Sequence, residues 1–172
     1  MNLFKRVLLG LVGCLVLLIS VGFLLPSHVL IQRSLVIDAT PQQIQPWIDD
    51  MRRWEEWMPW GKDVDPTVVH TFANSKTMEW QGEKMGEGSI VLTQVDPKTG
   101  VLYTASFNHG EMNSSGSLTY EPVPERTRVI WSDSMRLGNN PVRRYLGLLI
   151  DSMLGRDFEK GLAKLKWVVE NR

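Results

Sequence analysis

The stretch Asp-Pro-Lys-Thr-Gly-Val-Leu-Tyr-Thr-Ala-Ser-Phe, residues 96–107, joins a turn signal to an alternating apolar segment. Its first five residues contain Pro and Gly, which are typical of the turn between two strands. From Val101 to Phe107 every second side chain is apolar or aromatic. Because successive side chains of a strand point to opposite faces, this alternation predicts a strand with one buried face.

The same pattern extends in both directions, over residues 67–135. Turn signals recur at residues 74–75, 82–88, 108–110 and 122–124. The runs between them are rich in Val, Ile, Thr, Tyr, Phe and Trp, as is typical of strands. Short strands and turns at this spacing predict an antiparallel meander of about six strands.

One more strand and two short helices are expected before the meander. Residues 30–38 are rich in branched apolar side chains and predict a strand. Thr40 is suited to cap the helix that follows, with Pro41 at its first position and Gln43 three residues after the cap. Pro46 is expected to bend or shorten that helix, and a second short helical piece is expected at residues 51–57.

A long helix is expected at the C-terminal end, from Pro141 to about Val169. Phe158, Leu162, Leu165 and Val169 follow one another at i, i+4, i+7 and i+11, so they share one helix face. One strand, small helices, a meander and a closing helix together predict an α+β fold. This order is that of the helix-grip fold, in which a curved antiparallel sheet wraps the C-terminal helix and leaves a cavity between them.

Several motifs resemble those of membrane-anchored members of the SRPBCC superfamily, the polyketide cyclase/dehydrase-like relatives of START and pollen-allergen proteins. The matching segments are Arg53-Trp54-Glu55-Glu56-Trp57-Met58-Pro59-Trp60, Asp65-Pro66, Glu79-Trp80-Gln81-Gly82, Gly86-Glu87-Gly88-Ser89, Tyr145-Leu146-Gly147-Leu148 through Asp151, and Gly155-Arg156-Asp157-Phe158-Glu159-Lys160-Gly161-Leu162. The resemblance runs from the apolar N-terminus to Lys166. It implies a helix-grip domain with a hydrophobic ligand cavity, and it specifies no reaction.

Residues Val7–Leu25 are nineteen successive residues without a charge. As a helix they are about 28 Å long, which matches the hydrocarbon thickness of a bilayer. Lys5 and Arg6 precede them, and the next basic residue is Arg33. The positive-inside rule therefore predicts a single-pass anchor over residues 1–26, with its N-terminus in the cytoplasm. The ligand-binding domain, residues 27–172, is expected outside the cytoplasm, in the periplasm or the extracellular space.

Two alternatives to a retained anchor remain open. A cleaved signal peptide also begins with positive charge, and Ser20-Val21-Gly22 is a weak cleavage site. Leu11-Val12-Gly13-Cys14 resembles a bacterial lipobox, which would place a lipid on Cys14. The apolar run is longer than the core of a signal peptide and continues past Cys14, so a membrane helix is favoured. Cys14 is the only cysteine, so the exported part has no disulfide.

The charge pattern argues against a nucleic-acid partner. The chain has 19 basic and 19 acidic residues, and removing Lys5 and Arg6 leaves 17 basic residues against 19 acidic ones. There is no basic stripe.

His28, His70 and His109 are scattered, with none of the usual metal-ligand spacings. The sequence thus predicts neither a metal site nor a cofactor.

Seven tryptophans and several methionines suit an adaptable apolar pocket, although any one of them fits equally well in a plain core. Strand alternation and the apolar character of the Trp and Met side chains give the expected ligand-binding set: Trp57, Trp60, Phe72, Met78, Trp80, Tyr103, Phe107, Trp131, Met135 and Met153. The expected partners are a hydrophobic small molecule or lipid and, through Val7–Leu25, the bilayer.

Three polar residues are candidates for chemistry inside such a pocket. Alternation turns His70 and Asp133 inward, and Tyr103 lies on an inward face. They suit a general acid or base acting on a bound carbonyl compound, or simply single hydrogen bonds. No triad or paired-carboxylate spacing supports catalysis, so no catalytic residue is assigned and binding is favoured over enzyme activity. A cyclase/dehydrase-type enzyme and a ligand-free protein-interaction domain remain the alternatives.

Overall fold

In the computed structural model, which describes residues 3–172, a seven-stranded antiparallel sheet packs against a 31-residue helix. The strand order is β1-β7-β6-β5-β4-β3-β2, so the six meander strands pair in sequence and β1 closes beside the last of them. The elements are α1 Leu3–Leu24, β1 His28–Ile37, α2 Pro41–Ile48, α3 Met51–Trp54, β2 Val69–Asn74, β3 Thr77–Gly82, β4 Gly86–Asp96, β5 Gly100–Phe107, β6 Met112–Val123, β7 Arg126–Arg136 and α4 Pro141–Asn171. The α+β helix-grip prediction and the six-strand meander are confirmed.

The helix α1 stands apart from the sheet. Its segment Val7–Leu24 is long and apolar enough to cross a membrane, and almost all of it is exposed on the protein surface. By length and composition it is a candidate membrane span or a signal sequence.

The short helix α2 begins and ends as its sequence dictates. The backbone N–H of Thr40 donates to the Gln43 side-chain oxygen at 2.9 Å, which is one half of a capping box. Pro46 lies inside the helix, which ends two residues later. The expected shortening is confirmed. The helix α3 ends at Trp54 rather than Trp57 and continues as a turn.

The strand β4 begins earlier than the sequence predicts. Residues 82–88 were expected to form one turn, but pairing resumes at Gly86. Gly88 lies directly opposite Trp80 on β3, and a Cβ at position 88 would overlap the Trp80 ring. The glycine is therefore a packing residue inside the strand, where it leaves room for the indole.

The core forms between the sheet and the second half of α4. Phe158, Leu162 and Leu165 are buried there, as the helical spacing predicts. The Trp131 ring of β7 stacks on Phe158, with ring centroids 4.1 Å apart and planes 8° apart. Trp54 packs edge-on to Trp131. This aromatic cluster holds α4 against the sheet.

A buried carboxylate fixes the loop before β2. The Asp65 side chain accepts the backbone N–H groups of Thr67, Lys84 and Met85, at 3.0, 2.7 and 3.0 Å, and the Thr67 hydroxyl at 2.6 Å. These hydrogen bonds hold the pKa of Asp65 well below its ordinary value. The ionised carboxylate thus ties its loop to the turn between β3 and β4.

Replacing Asp65 with asparagine is expected to lower the unfolding temperature at pH 7 by several degrees, because an amide group would face two N–H donors. The pKa is lower in the folded state, so ionised Asp65 stabilises above the unfolded pKa of about 3.9, and this contribution is lost as pH falls through the folded value. Thermal unfolding of the full chain in detergent between pH 7 and pH 2 should show the two proteins converging in acid. Asp63→Asn, at an exposed side chain, is the control. A constant difference across the range would contradict the assignment.

Candidate functional site

A cavity of about 390 Å³ lies between the sheet and α4. Small-molecule pockets in proteins span about 300 to 1,000 Å³, so this volume suits a ligand. The cavity is lined by Trp54, Met58, Trp60, His70, Met78, Trp80, Met85, Ile90, Tyr103, Ala105, Phe107, Met112, Ser114, Trp131, Asp133, Met135, Ile150, Met153, Leu154 and Phe158. All of these residues except His70, Ser114 and Asp133 have mostly apolar side chains. The wall is therefore apolar with a few polar groups.

Strand alternation positions most of these side chains, as the sequence predicts. Each inward face contributes every second residue, so that Tyr103, Ala105 and Phe107 of β5 all reach the cavity. Eight of the ten residues expected to bind ligand lie in the wall, namely Trp60, Met78, Trp80, Tyr103, Phe107, Trp131, Met135 and Met153.

Trp57 and Phe72 lie outside the wall. Trp57 is fully buried in the core, where its indole N–H donates to the Trp47 carbonyl at 2.9 Å. Phe72 is partly buried and packs against the core. In the turns after α3, Trp60 faces the cavity and Trp57 does not. Phe72 lies on β2, where the pairing with β3 is irregular between Phe72 and Asn74.

Other wall residues were not singled out from the sequence. Ile150 and Leu154 precede Phe158 at steps of four residues, so helical periodicity carries a signal for them. The alternation of side chains along β6 likewise indicates that Met112 and Ser114 share a face. Met58 and Met85 lie in irregular segments, where no periodic signal exists.

The three catalytic candidates, His70, Tyr103 and Asp133, all line the cavity. The Tyr103 hydroxyl donates to Asp133 Oδ2 at 2.9 Å, and the Ser114 hydroxyl donates to the same oxygen at 3.1 Å. The Trp131 indole N–H donates to the Tyr103 oxygen at 2.9 Å. Three adjacent strands thus contribute one connected polar group at the wall.

A glycine makes this network possible. In the sheet register Gly116 of β6 lies between Tyr103 of β5 and Asp133 of β7. A Cβ at position 116 would overlap the Tyr103 ring and its hydroxyl. Since glycine has no side chain, the phenol lies across β6 and reaches the carboxyl group on the strand beyond.

Burial dominates the electrostatics of the network. It raises the pKa of Asp133 above the ordinary value, although the hydrogen bonds from Tyr103 and Ser114 lower that pKa. Burial and the nearby Asp133 charge raise the pKa of Tyr103 well above its ordinary value, so its hydroxyl stays a neutral donor. Asp133 Oδ1 is buried and has no hydrogen-bond partner among residues 3–172. A buried oxygen without a partner is uncommon in a folded protein.

The His70 side chain is hydrogen-bonded to Glu55, which does not line the cavity. Its Nδ1 lies 2.8 Å from Glu55 Oε1, and its side chain is 7% exposed. A carboxylate only accepts, so Nδ1 carries a proton. Its Nε2 and the indole nitrogen of Trp80 are buried and have no partner in the described part of the chain. Both atoms belong to residues that line the cavity.

This set of groups suits recognition or proton transfer. No three His, Cys, Asp or Glu side chains within residues 3–172 come together as metal ligands. The wall can enclose an apolar body, and two of its residues, Asp133 and His70, each carry a buried polar atom without a hydrogen-bond partner among residues 3–172.

Comparison with known proteins assigns most of the chain to one family. The family model described as "Polyketide cyclase / dehydrase and lipid transport" matches residues 28–170. No curated protein matches the sequence.

Solved structures share the fold at low sequence identity. The Zhui aromatase/cyclase from a Streptomyces species has a TM-score of 0.61 at 12% identity, over 84% of this chain and 95% of that one. The Aha1 dimer from Colwellia psychrerythraea has a TM-score of 0.58 at 17% identity, over 83% and 97%. A Helicobacter pylori protein has a TM-score of 0.61 at 8% identity, over 81% and 87%. At these identities the likeness establishes the fold alone.

Proposed function

The chain belongs to the polyketide cyclase / dehydrase and lipid transport family, and we propose that its domain, residues 27–172, binds a lipid or other hydrophobic small molecule in the cavity. The observation that carries this proposal is the apolar cavity of about 390 Å³ between the sheet and α4. A protein-interaction domain with a filled core would have no need of it.

Desolvation supplies the driving force. A ligand that buries about 300 Å² of apolar surface gains about 7 kcal/mol at 25 cal/mol per Å², before the cost of association is subtracted. The rigid strand positions of the wall keep that cost low, since few side chains have to be ordered on binding. Affinity therefore follows the apolar area of the ligand, and its orientation follows the polar groups.

Asp133 orients the ligand. Its free Oδ1 accepts a hydrogen bond from a ligand hydroxyl, which replaces the water lost on burial. Ser114 and Tyr103 hold the other oxygen, so the carboxyl group keeps one geometry. The proposed ligand is thus an apolar molecule with at least one hydrogen-bond donor.

Replacing Asp133 with leucine is expected to remove this preference. The wild-type protein should bind a medium-chain alcohol about tenfold more tightly than the alkane of the same length, since a hydrogen bond to a carboxylate contributes about 1.5 kcal/mol or more. The Asp133→Leu variant should bind the two probes equally. Calorimetric titration with the pair measures both affinities, and the alkane serves as the internal control. A preference that survives the substitution would place the ligand hydroxyl elsewhere.

The identity of the natural ligand can be tested by native mass spectrometry of residues 27–172, purified without detergent. A discrete added mass, followed by extraction of the bound molecule, would identify the ligand class. A clean mass that remains clean after incubation with mixed lipids would contradict the proposal and favour a ligand-free interaction domain.

We further propose that α1 is retained as a membrane anchor, with residues 27–172 outside the cytoplasm. The uncharged segment and the preceding Lys5 and Arg6 support this orientation. Labelling of Arg172→Cys in intact cells by a membrane-impermeant maleimide tests it, in a Cys14→Ser background. The intact mass of the mature chain distinguishes retention from cleavage and from a lipid on Cys14.

One arrangement favours a second candidate function, a cyclase/dehydrase-type enzyme. The hydrogen bond between Glu55 and His70 Nδ1 fixes the imidazole of a cavity residue and leaves Nε2 without a partner in the described part of the chain, as a general base requires. Turnover of a bound carbonyl compound that disappears in His70→Ala, with binding intact, would support this function. Turnover that persists would exclude His70 from it.

A further inference from the structure

The first half of α4 carries an apolar stripe on its outer surface. Val142, Leu146, Leu149 and Met153 follow one another at i, i+4, i+7 and i+11, so they share one helix face. Their exposed fractions are 64%, 55%, 57% and 66%. A helix face in contact with water normally carries polar side chains, so this stripe is suited to an apolar surrounding.

The same face changes character further along the helix. Beyond Met153 it continues as Arg156, Lys160 and Lys164, which are exposed. The sharp change from aliphatic to basic side chains occurs within one helix turn. Such a sequence suits a helix that leaves an acyl region and passes through a layer of lipid headgroups.

The stripe lies beside the apolar helix α1. The Tyr145 hydroxyl donates to the Leu18 carbonyl at 2.7 Å, and Pro141 lies against Gly22. The Arg144 guanidinium donates to the Phe23 and Leu25 carbonyls at 2.6 and 3.1 Å, at the end of α1. Hydrogen bonds therefore fix the start of α4 to the last turns of α1.

These contacts give the depth of the stripe in a bilayer. Leu18 lies six residues before the end of α1, which corresponds to about 9 Å along the helix axis. Amphipathic helices in a membrane interface lie about 5–10 Å deep. Where α1 spans the membrane, Tyr145 is therefore within the outer leaflet.

The middle of this part of α4 carries no charge. Residues 145–150 contain no charged side chain. The first acidic residue after them, Asp151, is paired with Arg33 of β1 at 3.0 Å, on the side that faces the sheet. The part of the stripe around Leu146 and Leu149 can thus enter an apolar phase without carrying a charge with it, while Arg143 and Arg144 lie at its start, beside the end of α1.

The stripe also reaches the cavity. Met153 lines the cavity and is nevertheless 66% exposed, so it lies at the mouth. Ile150 and Leu154, next to it on α4, complete this edge of the wall. The mouth of the cavity is therefore continuous with the apolar surface of α4.

We propose that residues 141–154 of α4 lie in the outer leaflet beside α1, and that the cavity opens into the bilayer at Met153. This inference rests on the proposed function, both for the membrane span and for the bound ligand. A hydrophobic molecule then moves between leaflet and cavity without crossing water. The occupant of the stripe is lipid, and a second copy of the chain or a soluble partner is the competing outcome of the test.

The depth of the stripe can be measured in vesicles of phosphatidylcholine and phosphatidylglycerol that contain the full-length chain. A fluorophore is attached at Leu149→Cys or Lys164→Cys, both in a Cys14→Ser background. Spin-labelled acyl chains should quench the label at 149 strongly and the label at 164 weakly, while aqueous iodide should do the reverse. Iodide quenching of both labels would overturn the proposal. A label at 149 shielded from both quenchers would overturn it as well, since protein would then cover the stripe.

The movement of a ligand from the leaflet into the cavity, here called lateral passage, can be measured separately by energy transfer. The probe is a polyene fatty alcohol whose absorption overlaps the emission of the cavity tryptophans, delivered from the same vesicles. Leu149→Glu is expected to slow the rise of energy transfer about tenfold, because the mouth is lifted from the leaflet, with the final amplitude unchanged. Val69→Glu, at an exposed apolar position on the opposite sheet edge, is the control. An unchanged rate overturns lateral passage, whereas absence of energy transfer in the wild-type protein contradicts the proposed binding function itself.

Discussion

Replacing Trp131 with alanine is expected to lower the free energy of unfolding by about 4 kcal/mol, roughly a thousandfold in the unfolding equilibrium. Trp131 is fully buried and stacks on Phe158. Trp54 and Trp57 pack edge-on to the same ring. The substitution removes the contact that joins β7 to α4 and leaves a void that neighbouring rings cannot fill without leaving their own rotamers.

The loss has a second component. The Trp131 indole N–H donates to the Tyr103 oxygen, so the variant also removes a buried hydrogen bond from the Tyr103–Asp133 pair. A single lost bond of this kind costs about 1 kcal/mol. The core contact therefore dominates the effect, and the polar network makes a smaller contribution.

Thermal and denaturant unfolding of the full chain, followed by circular dichroism in one detergent, measures the effect. Trp167→Ala is the matched control, because the same side chain is removed from a position that is 57% exposed. That variant should stay within about 0.5 kcal/mol of the wild-type protein. A loss below about 1 kcal/mol in Trp131→Ala would show that the stacked cluster does not hold α4 against the sheet.

Local rules predicted the strands because each signal was complete within a few residues. The turn at residues 96–100 and the alternation after it form the β4–β5 hairpin. The same rule placed Tyr103 and Asp133 on inward faces, since alternation needs no knowledge of the neighbouring strand. The helical spacing of Phe158, Leu162 and Leu165 likewise identified the buried face of α4.

The hydrogen bond between Tyr103 and Asp133 could not be predicted in this way. It joins residues 30 positions apart and depends on the register of three strands. It also depends on Gly116, which leaves the space that the phenol crosses. A glycine in a strand signals close approach by another group, but the sequence does not say which group approaches.

The segment between α3 and β2 shows a different limit. Trp57 and Trp60 belong to one motif and are three residues apart, yet only Trp60 faces the cavity. The chain there forms turns, so neither the strand period nor the helix period applies. The pairing of His70 with Glu55 could not be predicted for the same reason, because Glu55 lies in this irregular segment.

Neither the polar groups of the wall nor the cavity itself distinguishes binding from catalysis. The raised pKa of Asp133 and the free Nε2 of His70 are compatible with both functions. The cavity itself is required by both, whereas an interaction domain requires none. A variant that fills the cavity and leaves the fold intact therefore tests the feature on which the two functions depend.

Ala105→Trp is such a variant, and it is expected to weaken ligand binding by about 100-fold or more, because an indole would occupy the space that the ligand needs. Ala105 is 4% exposed in the cavity wall, and its strand neighbours are Ile90 and Ser114. The new ring points into existing space, so the cost in stability should be about 1–3 kcal/mol. Binding should thus be lost from a protein that still unfolds cooperatively.

Thr104→Trp is the matched control, since the same side chain is added one residue earlier, on the exposed face of the same strand. Native mass spectrometry of residues 27–172 and calorimetric titration with the medium-chain alcohol should show normal binding by Thr104→Trp and none by Ala105→Trp. Loss of binding in both variants would indicate damage to β5 rather than occupation of the cavity. Normal binding in both would place the ligand outside the cavity and contradict the proposed function at its central point.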